Sequence, residues 1–456
     1  MKPTGSTSAA AQLQQAAAAD TDRSIPQGSH VKATVTTDAL VIGAGPGGSA
    51  AARFLAAAGH RVILVERDHL PRDKACGDAL TPTALSELRM LGADLGGVHP
   101  TKGLRISARH RTVDLPWPSS SLPTDTEPIT GGTIRRATLD ERIARSAVGA
   151  GAELWEGAKA TEPVLEHGLL RGAVIERRDP SDGPDDPPEL ITVRARFVAV
   201  ADGAISQFGR SLGTTRDRSH AQGLALRGYF SSDHHDLQWL ESNLDLVDSS
   251  GASLPGFRWA FPIGDGTVNI GVGVLSSARN DEAVHPAALL EQWVQDLPRH
   301  WEISPADAVE EPIGGRLPLG GSVSPRCGPN WLVIGDAAGS ANPFNGDGIE
   351  AALRTGRQAA QAIDAALVTN DGTALRHYDL AIEREFGSTD KVGRLMGRLL
   401  GQPSTMRELS RVAVNNRPVI EWVFRLANHD IDPSEHGAAN RALRVASRAA
   451  RWIPER

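Results

Sequence analysis

The stretch that decides the fold of this chain is TTDALVIGAGPGGSAAARFLAAAGHRVILVER, residues 36–67. It opens with a short apolar run, Ala39 to Ile42, of the kind that forms a buried parallel strand. A glycine-rich turn follows at residues 43–48, and Ser49 to Ala58 has the composition of a helix. A second apolar run occupies Arg61 to Val65. The stretch therefore predicts a complete strand–turn–helix–strand unit.

The turn of this unit predicts a dinucleotide site. Gly43 permits the tight turn, Gly45 lets the backbone approach a pyrophosphate, and Gly48 lets the helix pack closely on the strand. The amides at the helix N-terminus carry about half a positive charge and face the phosphates. Glu66 ends the second strand, where it would accept hydrogen bonds from ribose hydroxyls. An α/β unit that binds no nucleotide is the alternative; the candidate cofactor-binding residues are Gly43, Gly45, Pro46, Gly48, Glu66 and Arg67.

Composition and charge exclude several classes of protein. The 456 residues allow about two or three domains. The two cysteines, Cys76 and Cys327, form neither a disulfide framework nor a C-x-x-C pair, which predicts a reducing, cytoplasmic location and no metal site. A formal net charge of −7 without a basic stripe argues against nucleic-acid binding. No apolar run of about 18 residues could span a membrane, and residues 1–36 predict a disordered leader.

Two later segments each place an acidic residue at the end of an apolar strand. FVAVADGAISQFGR, residues 197–210, runs into an Asp-Gly pair, and residues 331–360 reach a Gly-Asp pair before a Gly/Asn/Pro loop and a helix. Loop amides at residues 346–349 could hold partial negative charge. Taken singly, such pairs are also common turn dipeptides. The candidates in these segments are Asp202, Gly203, Asp336, Gly346, Gly348 and Ile349.

Taken together and in this order, the three segments resemble the glutathione-reductase-type FAD proteins of the aromatic-hydroxylase superfamily. The glycine turn resembles their ADP motif, Asp202-Gly203 their Asp-Gly motif, and Gly335-Asp336 their ribityl motif. The resemblance covers about residues 37–365. It implies FAD rather than NAD as the bound cofactor.

A further segment narrows this resemblance. PRDKACGDALTP, residues 71–82, resembles the Cys-Gly segment of the geranylgeranyl reductase family, whose members reduce isolated double bonds in prenyl chains. FRWAFPIGDGTVNIGVG, residues 257–273, resembles the substrate strand pair of that family. The helix start RRATLD matches its Arg-x-x-x-Asp pattern at Arg136 and Asp140. The resemblance implies a prenyl-lipid substrate, with menaquinone as the first candidate and geranylgeranyl lipids as the others.

The Cys-Gly-Asp stretch contains the candidate proton donors. An unconjugated alkene has no carbonyl to polarise it, so a hydride from reduced flavin must be accompanied by a proton. Cys76, with an ordinary thiol pKa of about 8.5, is mostly protonated at neutral pH, and the resemblance implies that Cys76 and Gly77 lie against the flavin. Lys74 could instead lower the pKa of this thiol, and Asp78 could give or take the proton through water. A small cysteine that only packs under the ring is the alternative.

Residues 216–324 predict an antiparallel substrate sheet with a hairpin turn at Gly264–Gly266. Phe257, Trp259 and Phe261 alternate and therefore point to one face of a strand; the family often has Tyr at the first of these positions. This aromatic stripe either lines a tunnel for an acyl chain or forms the core of the sheet.

The predicted fold class is α/β plus antiparallel β, with a glutathione-reductase-type FAD-binding Rossmann domain, an inserted β-sheet substrate domain and C-terminal helices. Residues 37–215 and 325–368 form the discontinuous FAD-binding domain, residues 216–324 the substrate domain, and residues 369–456 the helical region. NRALRVASRAARWIPER, residues 440–456, is predicted to form a terminal helix that packs on the body of the protein with its arginines in solvent. The alternative is a basic amphipathic helix that makes peripheral contact with an anionic membrane. The stripe consists of Arg441, Arg444, Arg448 and Arg451.

Three functions are consistent with these residues. A prenyl-lipid reductase is favoured by the Cys-Gly-Asp stretch. An FAD monooxygenase or halogenase is the second, because FRWAFP resembles the Trp-x-Trp-x-Ile-Pro segment of halogenases, with Phe257 and Phe261 as departures. A nonenzymatic flavin or lipid carrier is the third. No second complete dinucleotide motif is present, so electrons would come from transiently docked NAD(P)H or from a separate reductase.

Overall fold

The computed structural model describes residues 31–118, 130–183, 186–220, 222–248, 250–276, 285–400 and 414–428, with three single positions near the end of the chain. The strands of the two large sheets are β1 (Val31–Ile42), β2 (Val62–Val65), β5 (Gly103–Ala108), β6 (Arg111–Pro116), β8 (Glu153–Trp155), β9 (Ala158–Glu166), β10 (Leu169–Arg177), β11 (Glu189–Val200), β13 (Gln222–Ser231), β14 (Trp239–Asn243), β15 (Gly256–Pro262), β16 (Thr267–Ser276), β17 (Ile313–Pro318) and β19 (Trp331–Val333). Short strands are β3 (Ala79–Leu80), β4 (His99–Thr101), β7 (Gly131–Thr133), β12 (Thr215–Arg216) and β18 (Val323–Ser324). The α-helices are α1 (Pro46–Ala57), α2 (Pro82–Met90), α3 (Arg136–Gly149), α4 (Gln207–Ser211), α5 (Pro286–Asp296), α6 (Ile349–Thr369), α7 (Arg376–Leu400) and α8 (Arg417–Ala427).

The first strand begins before the predicted end of the leader. β1 pairs in parallel with β11 from Val31 onward. The prediction of disorder is therefore wrong for residues 31–36, whose alternation of Val31, Ala33 and Val35 with polar residues suits a strand. The remainder of the predicted leader, residues 1–30, lies outside the described residues.

A seven-stranded mixed sheet organises the first half of the molecule. Its order is β8-β2-β1-β11-β10-β9, with β19 also paired to β11. The strands β8, β2, β1, β11 and β19 run parallel, whereas β10 pairs antiparallel with both of its neighbours. Buried alanines and leucines of α1, α3 and α6 form a core with this sheet. The predicted Rossmann-type α/β unit is thereby confirmed.

The second large sheet has the order β17-β13-β16-β15-β14-β5-β6. The predicted hairpin between β15 and β16 is present, with φ values of 85° at Gly264 and 93° at Gly266. Two features of the prediction are wrong. Residues 103–116 were expected in the FAD-binding domain but form β5 and β6 of this sheet, and β14 pairs with β5 in parallel, so the sheet is mixed. The reason is that β5 finds its partner more than 130 residues later in the chain, at Trp239–Asn243.

The two faces of this second sheet have different partners. Val268, Ile270 and Val272 of β16 point to one face and pack against α5. Phe257, Trp259 and Phe261 of β15 point to the other face, where buried residues of β6 and α8 join them. This aromatic face looks toward the glycine turn of the first sheet, because both line the same cavity.

Two helices among the last described residues, α7 and α8, close this cavity from a third side. Met396 of α7 and Phe424 of α8 both contribute to its wall. None of the helices in the described residues is long and apolar enough to cross a bilayer. The predicted basic stripe at residues 440–456 falls almost wholly outside the described residues, which include only Arg441, Leu443 and Val445 of that segment.

Candidate functional site

The glycine turn has the geometry that its sequence predicts. Gly43 has φ +101°, and a Cβ there would lie 2.3 Å from the carbonyl oxygen of Ala201. A Cβ on Gly48 would lie 1.9 Å from the carbonyl oxygen of Gly43, so only glycine permits α1 to start this close to β1. Gly45 differs, because the nearest atom to its Cβ would be a guanidinium nitrogen 3.9 Å away. The turn therefore leaves open space at Gly45, where a ligand can approach the backbone.

Glu66 lies at the end of β2 and is 4% exposed. Its carboxylate accepts hydrogen bonds from the amide of Ala44 at 2.9 Å and from Nη2 of Arg72 at 3.2 Å. It is thus fixed against the glycine turn, as a ribose-binding carboxylate needs to be. Its neighbour Arg67 points into solvent and pairs with Asp68 instead.

A chain of buried charges runs from Glu66 to Arg136, which lines the cavity. Arg72 also donates to Asp140 at 2.8 Å, and Asp140 accepts two bonds of 2.9 Å from Arg136. Burial opposes the charge on Asp140, but the two guanidiniums hold the pKa of this carboxyl below its ordinary value. The predicted pair of Arg136 and Asp140 is therefore in contact. Arg72 was missed by the sequence reasoning, although it stands in the quoted Cys-Gly segment.

Cys76 lies on the cavity wall between this charge network and the second sheet. Burial raises the pKa of its thiol, and the adjacent guanidinium of Arg136 opposes that rise. Lys74 does not play the part predicted for it. Its Nζ pairs with Asp336 at 2.8 Å, so the cation that acts on the Cys76 thiol is Arg136. A Cβ on Gly77 would lie 3.0 Å from the Phe261 ring, which brings the Cys-Gly segment against the aromatic stripe.

Asp78 is completely buried and has φ +63°, in the left-handed region. Its Oδ2 accepts a short hydrogen bond from the hydroxyl of Tyr229 and one of 2.9 Å from Nδ2 of Asn269, and its Oδ1 accepts one of 3.3 Å from the amide of Arg136. Burial raises the pKa of Asp78 to about 6, although these donors oppose the rise. A carboxyl in this environment can exchange a proton near neutral pH.

Tyr229 and Asn269 were not predicted. The available signal was the run GLALRGYF, where Arg227 and Tyr229 interrupt an otherwise apolar strand at a spacing of two.

The loop before α6 contains the amides that were predicted to hold a ligand carbonyl. It lines the cavity, and Gly348 precedes the helix as expected. The amide of Gly346 donates to the carbonyl of Asn342 at 2.9 Å, and the amide of Ile349 donates to the Asp347 carboxylate at 3.0 Å. These two amides therefore bond within the loop itself, one to a backbone carbonyl and one to an Asx side chain. That loop amides at residues 346–349 hold a ligand carbonyl stays a prediction.

One continuous cavity of about 430 Å³ joins these groups, within the size range of ligand sites. Its polar end contains the glycine turn, Lys74, Arg136 and Asp336. Its other end crosses the second sheet, where Phe257 and Trp259 have ring centroids 5.8 Å apart. The other apolar lining residues include Leu104, Ile106, Trp117, Leu240, Phe261, Leu275 and Phe424. The predicted stripe therefore does line a cavity, although its residues are also part of a packed cluster.

The residues at the polar end fit an FAD. A Cβ on Gly203 would meet nothing within 4 Å, so the wall is open here as it is at Gly45. One oxygen of Asp202 is buried without a hydrogen-bond partner among the described residues, while the other accepts from the amide of Phe208 at 2.9 Å. Backbone amides at the start of α1, with Glu66 beside them, suit the phosphates and the ribose.

Comparisons with known proteins show the family of this chain. The model of the "FAD binding domain" family matches residues 36–384. The menaquinone reductase of Mycolicibacterium smegmatis is 36% identical over 430 residues, which are 92% of this chain and 98% of that protein. The digeranylgeranylglycerophospholipid reductase 2 of Methanosphaera stadtmanae is 31% identical over 353 residues, which are 74% of this chain and 80% of that protein.

Among solved structures, a geranylgeranyl bacteriochlorophyll reductase-like protein from Thermoplasma acidophilum superposes with a TM-score of 0.73 at 24% identity. The match covers 91% of this chain and 100% of that one. At this identity the likeness shows a shared fold.

Proposed function

We propose that this chain, which belongs to the FAD-binding family that contains the menaquinone and geranylgeranyl-lipid reductases, uses FAD to saturate an isolated double bond in a prenyl chain. Menaquinone is the preferred substrate, since the relatives of that name align over nearly their whole length. Geranylgeranyl chains of phospholipids are the second candidate class.

This proposal rests on the continuity of one cavity whose two ends differ in polarity. The polar end suits a dinucleotide, the apolar end suits a hydrocarbon chain, and the segment Cys76–Asp78 lies where they meet. Burial of ten methylene-sized groups would contribute roughly 8 kcal/mol at about 0.8 kcal/mol each. A prenyl tail can therefore bind through apolar contact alone, as a chain without polar groups must.

The residues where the two ends of the cavity meet can donate the proton that the reaction needs and can then be protonated again. An FAD held at the polar end of the cavity would, once reduced, supply the hydride for one carbon of the double bond. Cys76 gives its proton to the other carbon, because its thiol reaches the cavity and burial keeps it protonated at neutral pH. The guanidinium of Arg136 then stabilises the resulting thiolate. Asp78, which lines the cavity two residues after Cys76, returns a proton to this thiolate through water.

An anaerobic experiment tests the function. The flavin of the purified protein is photoreduced, menaquinone or a geranylgeranyl lipid is added without oxygen, and flavin reoxidation is followed together with the lipid mass. We expect reoxidation with a gain of two hydrogen atoms per double bond. Reoxidation that occurs only after oxygen is admitted would instead favour a monooxygenase or halogenase, and tight flavin binding without any turnover would favour a carrier.

Cys76→Ala and Cys76→Ser separate a chemical role of the thiol from a packing role. Both variants should bind FAD, and Cys76→Ser keeps a small polar side chain. We expect both to lose lipid reduction, by about 100-fold or more, the usual contribution of a general acid. Full activity in Cys76→Ser would show that the thiol only packs.

The donor and the membrane contact are further parts of this proposal. Electrons would come from transiently docked NAD(P)H or from a separate reductase, which rapid mixing of the oxidised protein with NADH and NADPH would distinguish. Peripheral contact with an anionic membrane would bring the enzyme to a lipid substrate held in a bilayer. Co-sedimentation with anionic but not with neutral vesicles is the expected result.

A further inference from the structure

Two neighbouring strands bring two donors to one oxygen of Asp78. Tyr229 of β13 and Asn269 of β16 are directly paired in the register of the second sheet. The Tyr229 hydroxyl and Nδ2 of Asn269 both donate to Oδ2 of Asp78. Asn269 is itself oriented by Trp259, whose Nε1 donates to its Oδ1 at 2.9 Å, and by the carbonyl of Cys76, which accepts from its Nδ2 at 2.8 Å. The Asp78 carboxyl is therefore held by both strands, and Asn269 is itself held in place by Trp259 and Cys76.

Only one of the partners of Asp78 can reverse its hydrogen bond. The amide nitrogens of Asn269 and Arg136 donate and cannot accept. The phenol of Tyr229 can donate to the ionised carboxylate and can also accept from the protonated carboxyl. The described residues make three hydrogen bonds with the carboxyl oxygens of Asp78, and only the one with Tyr229 can therefore carry a proton to or from the carboxyl.

Two guanidinium groups lie against the ring of Tyr229. The guanidinium carbons of Arg135 and Arg227 lie 4.1 Å and 4.2 Å from the centroid of the Tyr229 ring. Arg227 is itself bonded to Asp73, and Glu310 lies 3.8 Å from each of the two arginines. Burial and Asp78 raise the pKa of the phenol, whereas Arg227 lowers it. A proton would therefore cross this hydroxyl in one concerted transfer and not by way of a long-lived phenolate.

We propose that Tyr229 is a positioning residue that exchanges a proton with Asp78 during prenyl-chain reduction; this inference rests on the proposed function. When Asp78 has released its proton toward Cys76, the O–H bond of Tyr229 breaks as a new O–H bond forms on the carboxylate. In the same concerted event the phenol oxygen takes up a proton relayed from solvent, so that no phenolate accumulates. No electrons move in this step, and its overall balance is one proton taken from water.

The chain offers an unusual probe for this contact, since it contains only two tyrosines. The other, Tyr378, is equally buried, and its hydroxyl donates to the carbonyl of Val333 at 2.7 Å, remote from Asp78. In Tyr378→Phe protein grown with 3-fluorotyrosine, Tyr229 is the single fluorinated residue. We expect its ¹⁹F resonance to shift with pH around a midpoint of about 6, and Asp78→Asn to abolish that shift. A resonance that does not change between pH 5 and 8, or that still titrates in Asp78→Asn, overturns the proposal.

A matched pair of full-length variants gives a second measurement. Tyr229→Phe and Tyr378→Phe each delete one buried hydroxyl. Loss of a donor to a carboxylate should raise the infrared midpoint of the Asp78 carboxyl by about one to two pH units in Tyr229→Phe, and single-turnover lipid reduction should slow about tenfold or more. Tyr378→Phe should change neither property. Equal behaviour of the two variants overturns the proposal.

These readouts separate the inference from the function on which it rests. The ¹⁹F and infrared titrations need no substrate. If wild-type protein reduces no prenyl lipid, the proposed function fails whatever the titrations show, and Tyr229 then has no such reaction to serve. If wild-type protein reduces the lipid but the titrations are flat, only the role of Tyr229 is refuted.

Discussion

The buried carboxyl of Asp78 should make the stability of the folded protein depend on pH. Its pKa is raised from 3.8 to about 6 in the folded state. Because the folded state holds this proton more tightly than the unfolded chain, the stabilisation is complete below pH 4 and is lost as pH rises through 6. A shift of about two pKa units corresponds to about 3 kcal/mol at 1.36 kcal/mol per unit.

Asp78→Asn isolates this contribution, since an amide does not titrate. Urea unfolding of the FAD-free wild type and of Asp78→Asn, followed by tryptophan fluorescence at several pH values from 4 to 8, gives the difference in the free energy of unfolding. We expect wild type to lose about 2.4 kcal/mol of this stabilisation relative to Asp78→Asn between pH 4 and pH 7, with most of the change below pH 6.5. All other titrating groups cancel in this difference unless they contact Asp78. A difference that stays constant to within about 1 kcal/mol would show that the carboxyl is not perturbed as its burial implies.

Three further predictions concern the cofactor turn, the charge network and the apolar end of the cavity. Gly48→Ala should destabilise even the FAD-free protein by about 1–3 kcal/mol, because its Cβ would collide with backbone, whereas Gly45→Ala should leave the melting temperature of that protein unchanged and weaken FAD binding. Similar melting temperatures and similar FAD titrations for the two variants would contradict this. Arg136→Met should lower the free energy of unfolding by about 3 kcal/mol, since it removes one partner of the buried Asp140, and a loss below about 1 kcal/mol in urea unfolding would show that the remaining arginine suffices. Phe257→Ala should weaken prenyl-lipid binding about tenfold at unchanged FAD content, as measured by lipid titration of the oxidised protein; unchanged lipid affinity would place the prenyl chain elsewhere.

The first strand–turn–helix–strand unit could be predicted because its signals are local. Gly43 and Gly48 are required by contacts within about six residues or with the adjacent strand, and the apolar runs on each side have strand length. Glu66 was also found, because a strand end is visible in sequence. The resemblance then carried the prediction from a nucleotide fold to a flavin and a prenyl chain.

The parts that were missed depend on pairing between distant residues. The sequence of β5 and β6 is that of an ordinary hairpin, and no local pattern in residues 103–116 predicts that β5 will pair with β14. Tyr229 and Asn269 meet Asp78 only through the register of β13 with β16 and the approach of that sheet to the Cys-Gly segment. Ion pairs also depend on residues that are distant in the chain. Lys74 is close to Cys76 in sequence, but its ammonium group pairs with Asp336, 262 residues away.

The partition of the chain between its two sheets has a consequence for how such an enzyme can be altered. The chain passes between them four times, since residues 103–116 and the strands from Gln222 to Pro318 belong to one sheet while β8–β11 and β19 belong to the other. Neither sheet corresponds to one contiguous stretch of coding sequence. Recombination with a relative at a single crossover between residues 116 and 222 would therefore join part of one cavity-facing sheet to part of another. Transfer of the whole sheet from a relative needs residues 103–116 and residues 222–318 exchanged together.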